Sequence, residues 1–219
     1  MIVPTESGTV AGVPSGVPGV TVFRGVPYAA DTGGQNRWRP PQPVEPWTGT
    51  RPASEFGAVC PQNLSRFPMD EDCLSVNVWT PAASAGEKLP VLVWIFGGRF
   101  IWGTGRDPLF DGEALAASGI VVVTLNYRVG ALGWLATAEL SAESGRGSSG
   151  NYGLLDQLAA LDWVRRNIAG FGGDPGRVTI AGQSAGAASV MALVCSPLGK
   201  GLFHRVIAES GAAHPADPG

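Results

Sequence analysis

The chain has 219 residues, of which 44% are hydrophobic and 15% charged, and its formal net charge is -3. This length and composition suit one globular domain with a buried core and exclude a disordered chain. A small negative charge without a long basic run disfavours nucleic-acid binding, since such proteins neutralise phosphates with lysine and arginine.

Apolar segments are short throughout the sequence. The longest, residues 91–96 and 120–123, have the length of β-strands and are far too short to cross a bilayer. The N-terminus lacks the basic start and the apolar core of a secretory signal, so no export address is visible. We therefore expect a soluble protein without a membrane partner. The sequence is compatible with two locations, the cytoplasm, which is the default expectation, and the outside of the cell after secretion.

The first half of the chain concentrates glycine and proline. Residues 12–29, GVPSGVPGVTVFRGVPYA, are typical of short extended pieces joined by turns, which indicates an antiparallel opening. From Lys88 onward, buried apolar runs alternate with glycine loops and a helix, as in a parallel sheet. The sequence thus predicts an α/β fold with antiparallel strands that lead into a parallel sheet.

Three apolar runs of the second half predict central strands. They are LPVLVWIF at 89–96, GIVVVTLNY at 119–127 and RVTIAG at 177–182. A last strand is expected in HRVIAESG, residues 204–211. We find no internal repeat, low-complexity tract or linker, so residues 1–219 are expected to belong to one domain.

Two helices are expected in this half. Residues 153–168 carry apolar side chains at helical spacing, with arginines near the end and a glycine just beyond it: Leu154, Leu158, Leu161, Val164, Ile168, Arg165, Arg166 and Gly170. This segment joins two predicted parallel strands, so it should be a crossover helix. A second helix is expected over residues 187–194.

Ser184 lies between the third central strand and the second helix, with Gly182 and Gly186 two residues away on either side. Gly-x-Ser-x-Gly at a strand-to-helix turn is the pattern of a nucleophile elbow, which exposes a serine hydroxyl above a sheet. A side chain at either glycine would collide with the neighbouring strand or helix. The alternative interpretation is a serine in a Gly-Ala turn without chemistry.

The segment IFGGRF, residues 95–100, directly follows the first central strand. Acyl transfer needs amide N–H groups aimed at the developing oxyanion, and a glycine-rich loop beside the elbow can supply them. The candidate donors are the backbones of Gly98, Arg99 and Ala185. Without the elbow, the glycine pair would indicate an ordinary turn. Just beyond this loop, Phe100 and Trp102 either line a substrate pocket or pack in the core.

Several motifs resemble, in order, the N-terminal part of a type-B carboxylesterase, the group that also contains the cholinesterases. They are FRGVPYA, RWRPPQP, CPQ, DEDCLSVNVWTP, LPVLVWIFGGRF, VVVTLNYRVGALGWL, GNYGLLDQLAALDWVRRNIAGFGGDPGRVTIAGQSAG and LFHRVIAESG, and the resemblance runs from about Thr9 to Gly211. It implies an α/β-hydrolase fold and hydrolysis of a small carboxylic ester by Ser, Glu and His, without cofactor or metal. The resemblance assigns Ser184 as the nucleophile and Gly98, Arg99 and Ala185 to the oxyanion hole.

The resemblance also implies a disulfide and two ion pairs. Cys60 and Cys73 match the first disulfide of the family, and they are also the possible pair among the three cysteines. Cys195 is expected to be a small buried side chain, because no histidine is spaced to activate it. The implied ion pairs are partly buried, with solvated surface charges as the alternative: Arg37 with Glu71, and Arg128 with Asp174.

Three residues depart from the family pattern. Phe96 stands where His or Tyr is common, Arg99 where Gly is common, and Gln183 where Glu is common. The neutral Gln183, which we also place at the substrate pocket, removes a negative charge that a quaternary-ammonium site would use. The loop from Cys60 to Cys73 contains no tryptophan, so cholinesterase activity is not expected.

The acid and the base that would act together with Ser184 are not evident in the sequence. In this fold the acid and then the histidine follow the nucleophile along the chain, on loops after later strands. Only His204 and His214 follow Ser184, and neither is expected to be the base. We therefore expect an N-terminal fragment that is poorly active alone and associates through an open edge strand. The alternatives are a non-catalytic esterase-like binding module and one half of a split esterase.

Overall fold

The computed structural model describes residues 1–63 and 65–211. Its strands are β1 (Ile2–Thr5), β2 (Gly8–Ala11), β3 (Val13–Pro14), β4 (Thr21–Pro27), β5 (Thr50–Pro52), β6 (Ser75–Thr80), β7 (Leu89–Ile95), β8 (Val121–Leu125), β9 (Gly173–Gln183) and β10 (Arg205–Glu209). The α-helices are α1 (Glu113–Ala117), α2 (Gly130–Trp134), α3 (Ala138–Glu143), α4 (Tyr152–Asn167) and α5 (Ala185–Cys195). No helix in these ranges is both long and apolar enough to span a lipid bilayer.

Seven of the strands form one mixed sheet. Their order is β10-β9-β7-β8-β6-β4-β3, and a separate sheet of three strands has the order β1-β2-β5. Neighbours from β10 to β8 are parallel, whereas β6 is antiparallel to both β8 and β4, and β4 to β3. The predicted α/β fold, with antiparallel strands leading into a parallel sheet, is confirmed.

The centre of the sheet is apolar because its strands are covered on both faces. Every residue of β6 and β8 is buried, and the side chains of β7 alternate between buried and half-buried positions. Val93 of β7 pairs with Val123 on one side and Ile180 on the other. Full burial of such a side chain contributes about 1.5–3 kcal/mol to folding stability. The buried strands therefore fix the position of the sheet edge from which the connecting loops leave.

Helix α4 packs against this core, and its apolar spacing continues into Ile168, which directly follows the helix. Leu161, Val164 and Ile168 are fully buried, as the apolar spacing predicts, while Leu154 and Leu158 are only partly buried. The helix also buries Asp156, a charge that the apolar pattern does not reveal.

Arg128 pairs with Asp156, so the expected pairing with Asp174 is wrong. Arg128 Nε lies 2.8 Å from Asp156 Oδ2 and Nη2 lies 2.7 Å from Oδ1, with both side chains buried. Asp174 stands near the amino end of β9 and accepts the Gly176 N–H. Arg128 follows the carboxyl end of β8, and parallel strands place these two positions at opposite edges of the sheet. The other expected pair, Arg37 with Glu71, is present and partly exposed.

The cysteines divide into a bonded pair and one exposed thiol. Cys60 and Cys73 form a disulfide with their Cα atoms 5.0 Å apart. Cys195 is exposed, so the expectation that it is buried is wrong. The buried face of α5 includes Gly186, Val190 and Leu193, and this spacing turns Cys195, the last helical residue, away from the sheet.

The disulfide should contribute a measurable share of stability. Cys60→Ser combined with Cys73→Ser is expected to lower the free energy of unfolding by about 3 kcal/mol, because the unfolded chain regains the entropy of an open loop. Urea denaturation measures this loss. Reduction of the unsubstituted chain should reproduce it, and Cys195→Ser should not. Equal stability of the reduced and oxidised chains would contradict the prediction.

The buried ion pair makes a second prediction. Arg128→Met leaves the Asp156 carboxylate buried without its cation and should cost about 3–5 kcal/mol in unfolding free energy. Adding Asp156→Leu removes the stranded charge and should restore most of that stability. Denaturant titration of the single and double variants measures their free energies of unfolding. An Arg128→Met variant as stable as the unsubstituted chain would refute the prediction.

Candidate active site

Ser184 occupies a sharp turn between β9 and α5. Its backbone angles are φ 55° and ψ -121°, a conformation that residues other than glycine rarely adopt and that costs about 1–3 kcal/mol. The turn is held from both sides: Ser184 N–H donates to the Glu209 carbonyl at 2.9 Å, and Ser184 O accepts from Ala188 N–H at 3.0 Å. Strand β10 therefore takes part in fixing the serine.

Two glycines allow this turn to form against the neighbouring strand. A Cβ atom on Gly186 would lie 2.1 Å from the Ile95 carbonyl oxygen, and one on Gly182 would lie 2.5 Å from the Gly186 carbonyl carbon. Both contacts are with backbone atoms, which cannot rotate away as a side chain could. The elbow thus requires glycine at both positions, as its sequence pattern predicts.

The loop after β7 lies beside the serine. A Cβ atom on Gly97 would be 2.6 Å from the Gln183 carbonyl oxygen and 3.2 Å from Ser184 Cβ, so the loop and the serine turn are in close contact. Gly98, Arg99 and Phe100 have successive positive φ angles of 114°, 58° and 64°. Consecutive residues in such conformations can turn their N–H groups toward one concave surface, which suits an anion. The loop is therefore placed where an oxyanion hole would be needed.

None of the hydrogen bonds between described residues uses the amides of Gly98, Arg99 or Ala185. Ala185 is the first residue of α5, and the first N–H groups of a helix have no acceptor within it. These three amides are thus available to a bound oxygen atom.

Three contacts hold this loop, and sequence reasoning identified none of them. The side-chain amide of Gln62 donates to Gly103 O at 2.9 Å and accepts Gly103 N–H at 2.7 Å. Tyr127 Oη donates to Phe96 O at 2.8 Å and its ring stacks on Phe96. Gly130 N–H donates to Phe100 O at 2.7 Å. Gln62 is two residues from Cys60, so the disulfide and the loop are linked through one side chain.

The buried Tyr127 hydroxyl is in its neutral form. Burial raises the pKa of Tyr127 well above its usual range, which keeps the proton that it donates to the Phe96 carbonyl. This hydrogen bond holds the residue immediately before the two loop glycines.

The three residues expected at a substrate pocket lie in different surroundings. Phe100 packs on Trp134 and lines a cavity of about 410 Å³ next to the loop. Trp102 is 53% exposed. Gln183 is also exposed, and its Oε1 would lie 3.2 Å from a Cβ on Gly97. Only Phe100 of the three belongs to this cavity.

His204 lies far from the serine. Its Nδ1 accepts the Val178 N–H at 3.2 Å, and its own N–H donates to Val178 O. Val178 precedes Ser184 by six residues of an extended strand, a separation of about 20 Å. His204 is thus structural, as expected. His214 lies outside the described residues, so within those residues no histidine is placed to act on Ser184.

Comparison with known proteins finds similar esterases. A fumonisin B1 esterase from Sphingopyxis macrogoltabida is 49% identical over 218 residues, which are 96% of this chain and 40% of that protein. The para-nitrobenzyl esterase of Bacillus subtilis is 46% identical over 221 residues, or 97% of this chain and 44% of the relative. The chain thus spans less than half the length of these relatives.

Solved structures superpose closely on this fold. A PNB esterase aligns with a TM-score of 0.89 at 47% identity, covering 97% of this chain and 44% of that structure. A Geobacillus stearothermophilus carboxylesterase aligns with a TM-score of 0.87 at 46% identity, covering 94% and 42%. The model of the Carboxylesterase family matches residues 1–216. Because this match extends over nearly the entire sequence, the chain belongs to the carboxylesterase family.

Proposed function

We propose that this chain supplies the nucleophile and the oxyanion hole of a serine carboxylic-ester hydrolase. The observation that carries the proposal is the backbone of Ser184, held at φ 55° and ψ -121° directly beside the loop of residues 97–99. A strained turn of this kind exposes a hydroxyl at the carboxyl edge of a parallel sheet, where α/β proteins bind their ligands.

The reaction proceeds by acylation and deacylation. Ser184 Oγ attacks the ester carbonyl carbon, and the amides of Gly98, Arg99 and Ala185 donate to the oxygen as it becomes negative. Collapse of the tetrahedral intermediate breaks the bond to the alcohol and leaves an acyl-serine, which water then hydrolyses. The hydrogen bonds from such preorganised donors become stronger as the oxygen gains charge in the transition state. This difference accelerates the chemical step.

Proton transfer requires further residues. A base must take the Ser184 proton and return it to the leaving alcohol, and in this fold the acid and histidine follow the nucleophile in chain order. We assign this role to the portion of the carboxylesterase fold that follows the matched region in the relatives. His204 is excluded by its distance from the serine.

Small carboxylic esters are the proposed substrates. Similar proteins include a fumonisin B1 esterase, a para-nitrobenzyl esterase and a cocaine esterase. The substrates in these names differ from one another, so only the reaction type is carried over to this chain.

A fusion tests this proposal. The 219-residue chain is joined to the C-terminal portion of the Bacillus subtilis esterase, and hydrolysis of p-nitrophenyl butyrate is measured. The fusion should turn over the ester, and Ser184→Ala should lower kcat by about 10⁴- to 10⁶-fold, since the residual rate comes from binding and the oxyanion hole alone.

Ser118→Ala, in an exposed loop, serves as the matched control and should retain full activity. Turnover that survives Ser184→Ala would refute the assigned nucleophile. Fast Ser184-dependent turnover by the chain without the fused portion would refute the assignment of the base to that portion.

A further inference from the structure

Arg99 is an unusual residue for its position. It stands in the loop beside Ser184 with φ 58°, the left-handed region that favours glycine, and its side chain is exposed. Glycine would supply the same backbone N–H donor at this position without steric cost. Backbone strain retained at a functional site points to a role for the side chain that occupies it.

The guanidinium of Arg99 has no protein partner among residues 1–63 and 65–211, where none of the ion pairs or side-chain hydrogen bonds includes it. Two other arginines near this edge of the sheet are neutralised: Arg37 contacts Glu71, and Arg128 contacts Asp156. The positive charge next to the nucleophile is therefore left for a ligand.

An apolar cavity adjoins this charge. It has a volume of about 410 Å³ and is lined by Arg99 together with Phe100, Ile101, Ala131, Trp134 and Leu135. Among the described residues that line it, Arg99 is the one with a charge. Phe100 and Trp134 pack with their ring centroids 4.5 Å apart, which gives the cavity a firm wall.

The cavity is within reach of the reacting centre. A Cβ on Gly97 would lie 3.2 Å from Ser184 Cβ, so Gly97 lies beside the serine, and Arg99 follows two residues later. Two Cα–Cα steps span at most about 7.6 Å, so a substrate bound at Ser184 can extend a short apolar chain past Phe100 to the guanidinium.

We propose that Arg99 and this cavity select esters that carry a carboxylate, with the apolar walls holding the connecting chain and the guanidinium binding the carboxylate. The inference rests on the proposed esterase function and adds a substrate class to it. Guanidinium and carboxylate match as a two-point hydrogen-bonded pair. A phosphate dianion would need a second cation, and the residues that line the cavity provide none.

Binding of unreactive amides to the full 219-residue chain tests the proposal without relying on turnover. The neutral parent is N-phenylhexanamide. One analogue carries a carboxylate at the acyl end, N-phenyladipamic acid, and another carries it on the ring, 4-(hexanoylamino)benzoic acid. Saturation-transfer NMR titrations give the dissociation constant of each.

One of the two acids should bind more tightly than the parent, and the identity of that acid assigns the carboxylate to the acyl or the alcohol side of the ester. Arg99→Gln should reduce this preference by about tenfold, the effect of losing a charge-assisted hydrogen bond. Arg99→Lys should restore part of it, and added salt should weaken it. Arg177→Gln, at the opposite edge of the sheet, is the matched control for loss of a positive charge.

Equal binding of all three compounds to the unsubstituted chain would overturn the proposal, as would a carboxylate preference that survives Arg99→Gln. This outcome is distinct from failure of the esterase proposal, which the Ser184-dependent hydrolysis of a neutral ester decides on its own.

Discussion

The site depends on how closely the backbone of α5 approaches the end of β7. Only hydrogen atoms at Gly182 and Gly186 fit between the helix and the carbonyl groups of Ile95 and Phe96. This contact places the serine turn directly beside the loop after β7, with Ser184 Cβ next to Gly97. Any Cβ at Gly186 would separate them by displacing backbone, which makes the contact more restrictive than ordinary core packing.

The loop beside the serine is held from several directions at once. Gln62 ties it to the segment closed by the disulfide, Tyr127 holds the carbonyl at its base, and Gly130 holds its far end. Electrostatic catalysis requires donors that are already in place when charge develops, because donors that must reorient provide much less stabilisation. The surrounding hydrogen bonds supply that rigidity, and the loop itself supplies only its strained shape.

Much of this arrangement could be predicted from the sequence, because the local signals agree with the fold. Apolar runs identified β7, β8 and β9, and the glycines around Ser184 identified the elbow. The partner of Arg128 could not be predicted, since an aspartate in a helix is usually solvated, and only the packed fold buries Asp156. Likewise, the exposure of Cys195 could not be predicted, because this residue belongs to an apolar helix whose buried face is determined by its contact with the sheet. The anchoring role of Gln62 depends on contacts between residues 41 positions apart.

The hydrogen bond from Ser184 to Glu209 has a consequence for biosynthesis. A ribosome adds residues from the N-terminus at about 5–20 per second, and domains begin to fold as they emerge. The serine, its two glycines and the loop before them are all made before Glu209. The turn cannot acquire its complete set of hydrogen bonds until β10 has left the exit tunnel and aligned beside β9. On the nascent chain, the serine turn is therefore completed late, after the core strands that support it.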